Sequence, residues 1–137
     1  MGRLSDTVSN NMLNAMFGQT VYDPPDTIYV ALSTTLPTNT GTNVTEPSAA
    51  NAYARVAVPN DVTNFPNAVN RVKSNGTVLQ FPTATGSWGT VSHFALYDAA
   101  TAGNFLGWGA LNSSTAITTG NAPSFPIGSL IITAPGT

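Results

Sequence analysis

His93 is the only histidine in this sequence, and so the one side chain whose ordinary titration makes it a general base near neutral pH. A nucleophile–base pair needs a hydroxyl or thiol within hydrogen-bond reach. The nearest hydroxyl belongs to Ser92, its neighbour in a strand pattern, and successive strand side chains point to opposite faces. His93 therefore reads as a packing residue. The acids are Asp6, Asp23, Asp26, Glu46, Asp61 and Asp98. The closest pair, Asp23 and Asp26, brackets two prolines and does not suggest carboxylates facing each other across a cleft. No acidic calcium loop is present. With no cysteine, thiolate metal sites, disulfides and a cysteine nucleophile are excluded, and one histidine excludes a polyhistidine metal site within the chain. Phosphate-loop, dinucleotide, His-Glu-x-x-His and Gly-x-Ser-x-Gly motifs are missing. The expectation is a protein with no enzymatic activity, cofactor or metal.

Charged residues make up 7% of the 137, against about 25% in ordinary globular proteins. The bases are Arg3, Arg55, Arg71 and Lys73, and the net charge is −2, so no electrostatic footprint for nucleic acid exists. No apolar run approaches the ~20 residues of a membrane helix. The segment MGRLSDTVSNN lacks the apolar stretch of a signal peptide, and Asp6 stands where a myristoylation pattern needs Ser or Thr. Neither membrane binding nor secretory export is expected. Thr, Asn and Ser, with 12 Gly and 10 Pro, take the place of charge. Such surfaces offer little repulsion against self-association. Aromatics could stack on sugars if they shared an exposed face. Trp108, between Gly107 and Gly109, reads as core, and Trp88, in a turn after Gly86-Ser87, reads as surface.

The elements that would position these residues are mostly strands. One helix is expected at residues 4–17, where Leu4, Val8, Met12 and Met16 recur every fourth residue. Ser5 or Asp6 would cap its start and Gly18 close its end. Its apolar face must be docked, on its own sheet or on a neighbouring subunit. Strands are expected at 27–33, with Ile28, Val30 and Leu32 on one face, and at 53–58. Asn75-Gly76 is either a hairpin turn or the lead-in to a strand at 77–81. A hairpin joins Val91–Tyr97 to Phe105–Leu111 through a turn at 98–104, where Asp98 can fold back on the backbone. A last strand spans Ser129–Thr133. Residues 34–52 and 60–70 are long Thr/Asn/Pro loops, a length that favours contact loops. The whole chain, 1–137, reads as one mainly-β domain: an antiparallel β-sandwich or squat barrel of six to seven strands with one short N-terminal helix.

The run Phe81-Pro82-Thr83-Ala84-Thr85-Gly86-Ser87-Trp88-Gly89-Thr90-Val91-Ser92-His93-Phe94, followed by Tyr97-Asp98-Ala99-Ala100-Thr101-Ala102-Gly103-Asn104, resembles a family of small tailed-bacteriophage virion structural proteins, often labelled phage tail fiber proteins. Met16-Phe17-Gly18, Tyr22-Asp23-Pro24-Pro25, Tyr29-Val30-Ala31-Leu32-Ser33-Thr34, Tyr53-Ala54-Arg55 and Ile127-Gly128-Ser129-Leu130 extend the likeness over nearly the whole chain. The resemblance implies a virion protein assembled in the host bacterial cytoplasm. The sequence shows none of the heptads or repeats of a fibre shaft. A capsid decoration (cement) protein is therefore expected, bound across subunits of the major capsid protein and to other copies of itself as a homo-oligomer. The alternative is a tail, baseplate or fibre-associated protein that binds host-surface glycan. Expected contacts are Leu4, Val8 and Met12 on the helix, the two long loops, Trp88, and Arg55, Arg71 and Lys73 against an acidic partner surface.

Overall fold

The computed structural model describes residues 2–134. In chain order the elements are β1 (Gly2–Leu4), α1 (Asp6–Met16), β2 (Thr27–Ser33), a 3-10 turn (Ala49–Asn51), β3 (Val56–Pro59), β4 (Val72–Ser74), β5 (Leu79–Gln80), β6 (Gly89–Tyr97), β7 (Phe105–Ile117), β8 (Ser124–Phe125) and β9 (Ile131–Thr133). Seven strands form one sheet in the order β3-β2-β6-β7-β1-β9-β4, and β5 and β8 form a second, two-stranded sheet. This is the expected mainly-β fold with one short helix. Among the described residues the large sheet has the expected seven strands and the small sheet adds two, and the β1–β9 pair is parallel where an antiparallel sheet was expected.

The middle of the large sheet follows the sequence pattern closely. β2 alternates as expected: Ile28, Val30 and Leu32 join the large core, while Tyr29 and Ala31 join a smaller cluster on the other face. The similar runs Tyr29-Val30-Ala31-Leu32 and His93-Phe94-Ala95-Leu96 lie side by side in β2 and β6, with Ala31 opposite Ala95. The β6–β7 hairpin turns through residues 98–104. There the Asp98 carboxylate accepts from the Asn104 backbone N–H at 2.6 Å and from its side-chain amide at 2.8 Å.

The chain start departs from the sequence expectation. Leu4 belongs to β1, not to the helix, and α1 begins at Asp6 with Ser5 as its N-cap, its hydroxyl accepting from the Val8 N–H at 3.1 Å. β1 can lie against β7 because glycines face each other: Gly2 is paired with Gly109, and a Cβ on Gly109 would fall 2.5 Å from the Gly2 Cα and 2.6 Å from the Phe94 ring. β3 begins only at Val56, and Tyr53, expected to start it, lies before it with its ring buried in the core.

Asn75-Gly76 is not a hairpin turn. β4 pairs with β9 and β5 with β8, so the strands flanking Asn75 go to different sheets. Asn75 itself is buried. Its amide donates to the carbonyls of Thr77 and Pro126, and its oxygen accepts from the Leu130 N–H at 2.9 Å. The large core of Phe81, Trp88, Phe94, Phe125, Leu130 and their neighbours lies between the two sheets.

The 34–52 loop is built on the sheet. Val44 packs on Ala31 and Ala95, and Ser33 Oγ accepts from the Thr45 N–H at 3.1 Å. Thr35, Thr38, Thr42 and Thr45 hydrogen-bond among themselves and to the loop backbone.

Candidate functional site

Arg55, expected to meet an acidic partner, is used inside the chain. Its guanidinium holds Glu46 by two hydrogen bonds, Nε to Oε1 at 3.0 Å and Nη2 to Oε2 at 2.8 Å, and its side chain is 6% exposed. Nη1 donates to the carbonyls of Ala99 and Ala102, which ties the β6–β7 turn to this segment. Tyr53 Oη donates to Glu46 at 2.7 Å and accepts from the Leu32 N–H at 3.0 Å. Burial opposes ionisation of Glu46, but the hydrogen bonds from Arg55 and Tyr53 outweigh it and hold its pKa below the ordinary value. Burial, then the Glu46 carboxylate, pushes the Tyr53 hydroxyl well above its ordinary value. This cluster has the geometry of a structural lock.

The two tryptophans exchange the places expected of them. Trp88 is 3% exposed, stands edge-on to Tyr53 with ring centroids 5.3 Å apart, and donates from Nε1 to the Asn51 carbonyl. Trp108 is half-buried on the outer face of the sheet. The cause is a register shift between Leu96 and Tyr97 against β7. Leu106 packs on the core, yet the residues opposite the core positions Leu96 and Phe94 are Gly107 and Gly109, so Trp108 faces outward. Trp108 carries the Arg3 guanidinium 5.1 Å from its ring, lies 6.0 Å from the His93 ring, and donates to Asn39 Oδ1.

A second shift, between Val91 and His93, alters the Ser92–His93 relation. Val91 and Phe94 both enter the core, so the residues between them do not alternate. Ser92 Oγ and His93 Nδ1 lie 2.7 Å apart, where regular strand geometry would separate them. Burial lowers the His93 pKa. Among the described residues no cluster of three or more His, Cys, Asp or Glu side chains could hold a metal.

Of the expected helix contacts, Val8 is buried, Leu4 is half-buried and Met12 is 44% exposed. Sequence reasoning missed the more exposed positions on the same helix end: Leu13 at 57%, Met16 at 74%, Phe17 at 72%, and Val21 beyond it at 91%. Beside Leu4 and Val8 lies an apolar cleft of about 180 Å³ with Tyr22, Pro24, Ile28 and Leu106 in its walls. Lys73 also lines that cleft, on the edge strand β4. Lysine on an edge strand discourages further strand pairing. Arg71 is exposed in the turn before β4. A larger cleft of about 630 Å³ opens between β7 and residues 120–129, lined by apolar and uncharged polar side chains such as Phe94, Leu111, Asn112 and Phe125.

A comparison with curated proteins finds no match. A protein-family model described as "Podophage GP4 fiber I protein gp80" matches residues 3–133, which include all the strands and the helix except for the first residue of β1. The match agrees with a charge-poor surface and with the phage structural class that the residues at 81–104 resemble, and the chain belongs to this family of bacteriophage structural proteins.

Proposed function

We propose that this chain is a fibre-associated component of a podophage virion, acting by contact with neighbouring proteins and not by catalysis. The observation that carries the reading is the family's own description, which names a fibre protein. The charge-poor composition supports it, since the centres of protein interfaces are depleted in charged residues. So does the uncharged apolar surface left open at the end of α1. If the fibre assembly touches host glycan, Trp108 is the tryptophan placed to do so, with Arg3, His93 and Asn39 around it.

Capsid decoration, with the major capsid protein as partner, is the second reading. It is favoured by the short elements: the longest helix has 11 residues, and no coiled-coil shaft occurs among the described residues. Quantitative mass spectrometry of purified particles, with antibody labelling in the electron microscope, separates the two. Label at the tail and a copy number of a few dozen at most supports the fibre reading. Label over the head at hundreds of copies overturns it in favour of decoration.

A further inference from the structure

We propose that two copies of this chain pair across a two-fold axis through antiparallel α1 helices, with the apolar stripe at the helix end of each copy lying against that of the other. The pairing is independent of where in the virion the protein sits.

Three observations carry it. First, α1 is barely covered by its own chain: Val8 is its one buried residue. An isolated helix of 11 residues does not persist in water. Met12, Leu13, Met16 and Phe17 fall at i, i+1, i+4 and i+5 and form one stripe. Together they expose on the order of 500 Å² of mostly apolar surface, more than half of the ~800 Å² per partner of a stable interface.

Second, the stripe suits a second copy. α1 has one charged residue, Asp6 in its first turn, and its polar positions are Thr, Ser and Asn. Antiparallel pairing keeps the two Asp6 carboxylates at opposite ends and opposes the helix dipoles. Parallel pairing would bring like charges together. Helices that lie on lipid carry Lys and Arg on their polar face, and α1 has neither.

Third, the stripe is turned away from its own chain: Phe17 lies nine residues, and therefore half a turn, from the buried Val8, so the stripe of one copy can meet the same stripe of the other across the two-fold, which closes the pair as a dimer.

The test is sedimentation equilibrium of the whole chain up to about 100 µM, a range that reports micromolar association. The expected result is a monomer–dimer equilibrium whose dissociation constant rises at least tenfold in Phe17→Asp and is unchanged in Val78→Asp, a residue 56% exposed next to the second, two-stranded sheet. Because the chain has no cysteine, Leu13→Cys supplies one thiol near the axis, independent of how Phe17→Asp folds. It should form a disulfide-linked dimer on mild oxidation, and Val78→Cys should not. A monomer throughout the range, a trimer, a dimer indifferent to Phe17→Asp, or binding of the monomer to phosphatidylcholine vesicles through α1 would each overturn the proposal.

Discussion

The Arg55 guanidinium lies 3.8 Å from the centre of the Tyr97 ring while both its free edges are bound, one to Glu46 and one to the carbonyls of Ala99 and Ala102. One side chain thereby joins the 34–52 loop, the segment before β3, the end of β6 and the hairpin turn. Removing one member of such a pair leaves a partly buried charge without its partner. Arg55→Ala should cost about 3 kcal/mol in urea unfolding. Arg55→Lys should recover little of it, because lysine cannot reproduce the planar fork. A loss under about 1 kcal/mol for Arg55→Ala would show the pair to be worth no more than a surface contact.

Stability should fall on acidification, in two ranges. The His93 pKa is lowered by burial, so the folded state binds its proton less well than the unfolded state. Its contribution is complete above the ordinary value of 6.5 and is lost as pH falls from there through the folded value. Glu46 and Asp98 are also lowered, the first by Arg55 and Tyr53 against its burial, the second by Asn104. Their contributions are present above the ordinary carboxylate values of 4.5 and 3.8 and are lost below them. Thermal midpoints measured across pH should show both declines, with His93→Gln removing only the upper one. A midpoint that rises on acidification would contradict the signs.

Asn75 is the polar residue that joins the chain between β4 and β5 to the segment between β8 and β9. Asn75→Ala leaves the buried Leu130 N–H without its partner and removes the amide that ties the Thr77 and Pro126 carbonyls together. The expected loss is about 3 kcal/mol by chemical denaturation. Asn75→Asp should also destabilise, since a carboxylate cannot donate to the two carbonyls. Wild-type stability in Asn75→Ala would mean that water replaces the amide.

The tryptophan exchange is open to a direct optical check. In Trp108→Phe the remaining Trp88 should emit to the blue and resist acrylamide, because it is 3% exposed. In Trp88→Phe the remaining Trp108 should be quenched more strongly and emit further to the red. Trp88→Phe should also be the less stable variant, by about 2 kcal/mol, because it shrinks a core ring and removes the indole hydrogen bond to the Asn51 carbonyl, which keeps the Thr85 N–H. The reverse order of quenching would place Trp108 in the core after all.

The sequence by itself determined what depends on near neighbours. Alternation located β2 and the β6–β7 hairpin, Asp98 and Asn104 closed their turn, and Ser5 capped α1 within three residues of itself. Composition alone marked a protein of neutral surfaces, and the residues at 81–104 marked its class. Tertiary structure decided the rest, because the deciding partners lie far along the chain. Trp88 finds Asn51 across 37 residues, and Arg55 finds Ala99 across 44. No local pattern announces either contact. The register shifts at Leu96/Tyr97 and Val91/His93 likewise reverse which side of the sheet a residue meets, so Trp108 faces outward and His93 meets Ser92. Strand periodicity assigns faces only while every residue is paired in step, and one extra residue inverts all that follow.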